Sequence, residues 1–149
     1  MTATIEQIFS AAGHGEPQSA RAEAQLVADV GLDGDRYAGT GVISLIQAEA
    51  VEAFNAATGL SISPAATGRN LVTRGIALNP LVGKRFKIGE VELEGTELCD
   101  PCATLGKLLA TEQISAAAVV RNFTDTAGVR ARVLSTGSIA AGTVITDNG

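Results

Sequence analysis

The sequence predicts a mainly β protein, a small β-barrel with a few helical insertions. Three observations support this fold class. The chain contains many short apolar or β-branched segments, its 17 glycines are spread over 149 residues, and helical patterns are few and lie between the strands. Because a chain of this length can bury a sizeable core, we expect residues 1–149 to form a single domain.

The first part of the chain is predicted to alternate strands with loops. Residues 3–9 are rich in β-branched side chains and form the first predicted strand, followed by a loop at 14–22. A second strand is predicted at 25–30, and it ends at the turn-rich segment 31–36. The apolar run at 42–46 predicts a buried strand.

A helix is predicted over residues 47–58. Its Ala and Glu content favours a helix, and Val51 and Phe54 lie three residues apart, on one face. Gly59 is a suitable residue to follow its C-terminus. The segment 61–68 is predicted to be a loop.

The rest of the chain returns to strands, interrupted by two helical segments. Further strands are predicted at residues 70–73, 84–88, 90–98, 129–135 and 142–146. The helices are expected at residues 102–110 and 113–122, and a turn at 136–138 separates the last two strands.

Composition and charge exclude several function classes. A net charge of −5 argues against a general nucleic-acid binder. No apolar window approaches the length needed to cross a bilayer, so no membrane association is expected. The N-terminus lacks a basic region followed by an apolar run, so we expect a cytoplasmic protein whose two cysteines are reduced.

Cys102 is the strongest candidate for chemistry. Asp100 is a good helix N-cap and Pro101 suits the first helical position, which places Cys102 in the first turn of the predicted helix. There the helix dipole favours a thiolate, the form of cysteine that attacks, carries sulfur or binds a soft metal. Cys99 is expected to be a small buried apolar residue at the end of a strand.

Two other interpretations of the Cys-x-x-Cys pair are weaker. A structural zinc site needs four ligands, and apart from Cys99 and Cys102 the chain offers only His14 as a nitrogen or sulfur ligand of the usual kind. In a thioredoxin-like dithiol the reactive cysteine is the first of the pair and follows a βαβ opening, which this sequence does not show.

Basic residues are concentrated between positions 69 and 87. The cluster consists of Arg69, Arg74, Lys84, Arg85 and Lys87. It is either solvated surface or a basic pocket for one small anionic ligand. A globally acidic protein can hold such a pocket without becoming a general polyanion binder.

Two segments carry donors suited to an anion. Arg36 lies beside Asp33 and Asp35, whose carboxylates can hold its guanidinium in place; a wide surface turn is the alternative. Arg69 supplies a fork of donors suited to phosphate or carboxylate, and Asn70 adds an amide.

Five motifs follow one another along the chain. They are residues 31–37 (GLDGDRY), 43–49 (ISLIQAE), 68–72 (GRNLV), 81–89 (LVGKRFKIG) and 98–102 (LCDPC). In these motifs and their order the chain resembles MOSC domains, the family named after the C-terminal part of molybdenum-cofactor sulfurase. The resemblance covers nearly the whole chain, and it implies a distorted barrel similar to the pyruvate-kinase β-barrel.

The resemblance also implies a role with the molybdenum cofactor, molybdopterin. Cys102 matches the reactive cysteine of the family, which is a molybdenum ligand in some members and a proposed persulfide carrier in others. A soft thiolate suits molybdenum. Any pyridoxal phosphate in the family belongs to a separate domain, so none is expected in this one.

By the same resemblance, cofactor-binding residues can be assigned to this chain. Arg69 and Asn70 are expected at the cofactor, where a guanidinium suits the terminal phosphate of the pterin. Arg36 is expected nearby, and Arg74 and Lys84 complete the candidate set.

Three functions follow from the resemblance. The first is reduction of small N-hydroxylated compounds at a Cys102-ligated molybdenum, with electrons from a donor protein. The second is sulfur transfer, in which Cys102 accepts a persulfide from a cysteine desulfurase and Cys99 resolves it. The third is a non-catalytic cofactor-binding domain. Its basis is that Tyr37 and segment 123–128 stand where family members often carry histidines.

Overall fold

The computed structural model describes residues 2–13, 16–99, 115–123 and 126–147. Within them the protein is mainly β. The strands β1 to β11 are, in chain order, Thr4–Ser10, Ser19–Arg21, Glu23–Val27, Gly31–Leu32, Val42–Gln47, Leu71–Arg74, Arg85–Ile88, Val91–Leu98, Val129–Val133, Gly137–Ala140 and Ile145–Asp147. The helices are α1 (Ala48–Thr58), α2 (Ala116–Asn122) and two short 3-10 helices at Pro64–Thr67 and Asn79–Leu81.

Eight of these strands form one sheet that curls into a half-barrel. Its strand order is β11-β7-β8-β9-β5-β6-β1-β2, and a second sheet has the order β10-β3-β4. The backbone joins β1 to the segment leading into β11: Ile5 N–H donates to Thr143 O at 2.9 Å, and Gly142 N–H donates to Ile5 O at 2.7 Å. The mainly β, barrel-like fold class predicted from the sequence is therefore confirmed.

Helix α1 connects the parallel strands β5 and β6 and covers the sheet. A parallel pair needs such a crossover connection. The helix buries Val51 and Phe54, the two residues that the sequence placed on one face. It ends at Gly59, whose φ of 75° lies in the left-handed region that glycine adopts without strain. The prediction of this helix is confirmed to within one residue at its start.

Two apolar clusters lie on the two faces of the curled sheet. The larger one fills the interior with side chains such as Leu45, Phe86 and Val129. The second cluster packs α1 and α2 against the outer face. Its centre is the stacked pair Phe54 and Phe123, whose ring centroids are 4.4 Å apart.

The sequence missed three of the described strands. Strand β4 lies within the segment 31–36, which was predicted to be rich in turns, and it pairs with β3. Segment 14–22 was predicted to be a loop, but β2 occupies 19–21 as an exposed edge strand paired with β1. The turn predicted at 136–138 overlaps β10, which pairs with β3 along its whole length. Strands β2 and β10 carry little apolar sequence and β4 has only two residues, so long-range pairing rather than local propensity forms all three.

Smaller differences concern boundaries. The segment predicted as a loop at 61–68 contains a 3-10 helix, and the last strand begins at residue 145 rather than 142. The helix predicted at 113–122 corresponds to α2 at Ala116–Asn122. The helix predicted at 102–110 lies outside the residues that the structure describes.

Candidate functional site

One pocket brings together three of the five cofactor-binding residues predicted from the sequence, Arg36, Arg69 and Asn70. It has a volume of about 280 Å³ and an open mouth. Three of its lining side chains are arginines, Arg36, Arg69 and Arg130, and Glu97 is the single carboxylate among the described lining residues. The other lining residues are Tyr37, Thr40, Val42, Ile43, Ser44, Gly68, Asn70 and Thr96.

Strand register builds one wall of this pocket. Ser44 on β5 is paired with Arg130 on β9, and Arg130 is in turn the partner of Glu97 on β8. Three adjacent strands therefore place these three residues in one row across the sheet. Arg130 Nη1 donates to Glu97 Oε1 at 2.9 Å, and this hydrogen bond raises the pKa of Arg130 above its usual value.

A tight turn positions Arg36. The neighbouring Asp35 is buried, and its carboxylate accepts hydrogen bonds from the N–H groups of Ala11 (3.0 Å) and Tyr37 (3.2 Å). Arg36 N–H donates to Ala11 O at 2.8 Å, so the turn is fixed to the end of β1. The Arg36 guanidinium lies 5.2 Å from the centre of the Tyr37 ring, a distance at which a cation and an aromatic ring attract.

The 3-10 helix at Pro64–Thr67 positions Arg69. The helix ends at Gly68 with φ of 75°, and the chain turns there toward β6. Arg69 Nε donates to Ala127 O at 2.9 Å, which fixes the side chain against the segment before β9. Gly68 O accepts a hydrogen bond from Arg36 Nη2 at 3.4 Å, so the Arg36 side chain is bonded to the residue that precedes Arg69.

Asn70 lines the pocket, but its side chain is used to hold three strands together. Its Oδ1 accepts hydrogen bonds from Ser44 N–H (3.1 Å) and Ser44 Oγ (3.2 Å) on β5. Its Nδ2 donates to Phe9 O on β1 at 3.2 Å. Asn70 is 2 % exposed, so it positions the pocket rather than offering a free amide to a ligand.

Two predicted cofactor-binding residues do not line the pocket. Arg74 is four residues beyond Asn70, and β6 carries it about 13 Å along the sheet. There it forms ion pairs with Glu6 and Glu52, each at 2.7 Å. Lys84 lies exposed in the turn before β7. The structure therefore divides the basic cluster of the sequence between the pocket, which takes Arg69, and the surface.

Sequence reasoning missed Arg130 and Glu97 as pocket residues. The alternation in the segment 129–133 indicated that Arg130 and Arg132 share the polar face of a strand, but it could not tell which of them meets a pocket. Arg132 instead pairs with Asp29 at 2.9 Å. The distinction depends on register with β5 and β8, which the sequence does not reveal.

Of the two cysteines, the structure describes Cys99 but not Cys102. Cys99 is 3 % exposed and belongs to the outer apolar cluster, as expected from the sequence. Cys102, predicted as the catalytic residue and metal ligand, lies outside the described residues, as do its predicted cap Asp100 and His14. Over the described ranges, no group of three or more His, Cys, Asp or Glu side chains is placed to hold a metal ion.

Comparison with known families identifies this architecture. The MOSC domain model matches residues 34–146, which contain all three arginines of the pocket. The chain belongs to the MOSC domain family. No match was found among curated proteins.

Solved MOSC-like structures share the fold at low sequence identity. The YuaD protein of Bacillus subtilis superimposes with a TM-score of 0.85 at 20 % identity, covering 97 % of this chain and 94 % of that one. YiiM of Geobacillus stearothermophilus has a TM-score of 0.76 at 15 % identity, with 99 % and 75 % covered. For YiiM of Escherichia coli the TM-score is 0.71 at 21 % identity, with 100 % and 70 % covered.

Within the part of the chain that the structure describes, no helix is long and apolar enough to cross a membrane.

Proposed function

We propose that this MOSC domain binds the molybdenum cofactor, with the pterin phosphate in the pocket formed by Arg36, Arg69 and Arg130. The observation that carries this proposal is the charge of the pocket. It gathers three guanidinium groups in a protein of net charge −5, and only Arg130 has a carboxylate within ion-pair distance among the described residues. Such an arrangement suits a small oxyanion.

The donors of the pocket fit a phosphate group. Arg36 Nε is buried and has no hydrogen-bond partner among the described residues, which is costly unless a ligand or water supplies an acceptor. Of the guanidinium nitrogens of Arg69, only Nε donates a hydrogen bond within the described part of the chain. Its remaining guanidinium N–H groups are therefore left for an oxyanion, in the fork geometry that matches phosphate.

Cys102 is the proposed molybdenum ligand. It follows the pocket residue Glu97 by five positions in the sequence, and a soft thiolate suits this metal. When bound, the cofactor supplies a metal centre that exchanges electrons with a substrate. The proposed substrate is a small N-hydroxylated compound and the proposed partner an electron-donor protein; a cytoplasmic location stays a prediction.

Sulfur transfer remains the alternative role of Cys102, with a cysteine desulfurase as the donor. In that scheme Cys99 would resolve the persulfide as a disulfide. Cys99 is buried in the outer apolar cluster, and thiol–disulfide exchange needs access to the attacking sulfur. The described geometry therefore favours the cofactor-binding proposal over this scheme.

The arginine pocket is tested by its effect on cofactor content. We would express the wild type, Arg69→Ala and Arg85→Ala in cells that synthesise the cofactor. Pterin per chain would be measured after release and oxidation. Arg69→Ala is expected to lose most of the pterin, because a guanidinium–phosphate contact is removed.

Arg85→Ala is the matched control, since Arg85 is exposed and pairs only loosely with Glu92 and Glu94 at 3.6 and 3.9 Å. It should retain the wild-type pterin content. Equal pterin content in Arg69→Ala and Arg85→Ala, with both proteins folded, would contradict the assignment of the pocket.

A further inference from the structure

Glu97 is the one acidic side chain among the described pocket residues, and a β-bulge places it there. Strand β8 alternates regularly from Val91 to Gly95, but its register with β9 shifts between Gly95 and Glu97. In a regular strand Thr96 and Glu97 would point to opposite faces. The bulge lets both line the pocket, and bulges commonly re-aim side chains in this way.

The Glu97 carboxylate neutralises one of the three arginines and leaves the other two. Arg130 Nη1 lies 2.9 Å from Glu97 Oε1, whereas Arg36 and Arg69 form no ion pair within the described ranges. The pair is open to solvent, with side-chain exposures of 49 % for Arg130 and 61 % for Glu97. Exposed pairs contribute little to stability, so the main consequence of Glu97 is the charge that it adds to the pocket.

We propose that Glu97 is a specificity-determining residue that restricts the pocket to ligands with a single phosphate-like group. This inference rests on the proposed anion-binding function. Two unpaired guanidinium groups match one phosphate, whose charge lies between −1 and −2 near neutral pH. A diphosphate or polyphosphate would bring further negative charge toward the Glu97 carboxylate and would be repelled.

Calorimetric titration of the cofactor-free full chain with inorganic phosphate and with pyrophosphate tests this role. The proteins compared are the wild type, Glu97→Gln and Glu94→Gln. Glu94 lies on the same strand, outside the pocket, so its variant removes the same charge from the molecule. In Glu97→Gln, affinity for pyrophosphate relative to phosphate is expected to rise by about fivefold, because one repulsive charge is lost at close range. Glu94→Gln should keep the wild-type ratio.

The possible outcomes separate this inference from the proposed function. If phosphate binds and the ratio is the same in Glu97→Gln and Glu94→Gln, the selectivity role of Glu97 is overturned while the anion pocket stands. If neither anion binds to any of the three proteins, the anion pocket itself is refuted, and the role of Glu97 with it. Glu97→Ala, which also removes the carboxylate, must reproduce the change seen in Glu97→Gln.

Discussion

At the scale of single residues, the pocket depends on buried polar side chains that fix the backbone as much as on the arginines. Asp35 holds the turn that carries Arg36, and Asn70 joins β1, β5 and β6 beside Arg69. Both side chains are almost fully buried, Asp35 at 6 % and Asn70 at 2 % exposure. Buried polar groups of this kind are costly to leave unpaired, so they specify one local geometry.

Replacing Asn70 with Ala should therefore destabilise the fold. Ser44 N–H and Phe9 O would each lose a hydrogen-bond partner, and we expect the free energy of unfolding to fall by about 2 kcal/mol or more. Urea denaturation measures this change. In the control Asn122→Ala the side chain is exposed on α2, and a change below about 0.5 kcal/mol is expected. Similar losses in the two variants would contradict the role assigned to Asn70.

Arg74 gives a prediction about pH. Its hydrogen bond and charge hold the pKa of Glu52 below its usual value. A carboxyl group with a lowered pKa stabilises the fold at pH values above its unfolded-state pKa, and this contribution is lost as the pH falls through the folded-state pKa. In Arg74→Ala the pKa of Glu52 should rise toward its usual value, as followed by carboxyl NMR titration. Arg85→Ala should leave the pKa of Glu52 unchanged. If Glu52 kept its wild-type pKa in Arg74→Ala, the ion pair between Arg74 and Glu52 would be refuted.

Residue types predicted part of the site, and tertiary register decided the rest. Arg36 and Arg69 stand in segments whose local composition indicates anion donors, and both line the pocket. Arg74 belongs to the same basic run as Arg69 but lies farther along a strand, among acidic partners. Arg130 enters the pocket because β9 pairs with both β5 and β8. No local pattern encodes that pairing.

At the scale of elements, β8 contains a closely packed glycine, Gly95, directly before the pocket residues Thr96 and Glu97. A Cβ atom at Gly95 would lie 2.1 Å from Leu81 O, in the backbone that ends the second 3-10 helix. The same glycine exchanges hydrogen bonds with the turn before β7: Gly83 N–H donates to Gly95 O at 2.8 Å, and Gly95 N–H donates to Lys84 O at 3.0 Å. A glycine within a strand pattern often marks such a close approach.

Gly95→Ala should consequently destabilise the protein, because the backbone of Leu81 cannot move without breaking these bonds. We expect the free energy of unfolding to fall by at least about 2 kcal/mol in chemical denaturation. Gly13→Ala is the matched control, since its nearest neighbour would be Glu16 Cδ at an ordinary 3.5 Å. A Gly95→Ala variant as stable as Gly13→Ala would show that the contact relaxes at little cost.

Elements with strong local patterns were the predictable ones. The sequence located α1 and the strands β5 to β9 to within two residues, because apolar periodicity and a glycine stop signal agree there. It missed β2, β4 and β10, whose sequences SAR, GL and GSIA are short and carry little apolar content. Their backbone pairing with β1 and β3, rather than their own sequences, defines these strands.

At the scale of the whole molecule, two apolar clusters hold the fold together, and the positive pocket is the candidate functional site. The interior cluster holds the curled sheet together, and the outer cluster attaches α1 and α2 to it. The pocket is lined by β5, β8, β9 and the turns that carry Arg36 and Arg69. We propose that this basic pocket attracts a small anion, and the net charge of −5 predicts that the protein surface as a whole disfavours nucleic acid.

The central claim, that this MOSC domain holds the molybdenum cofactor with Cys102 on the metal, is tested most directly by metal content. The protein would be purified anaerobically from cells that make the cofactor, and molybdenum per chain would be measured for the wild type and Cys102→Ser. We expect near-stoichiometric molybdenum in the wild type and its loss in Cys102→Ser, because a serine hydroxyl is a poor ligand for a metal that favours thiolate. Absence of molybdenum from the wild type, or equal content in both proteins, would contradict the claim.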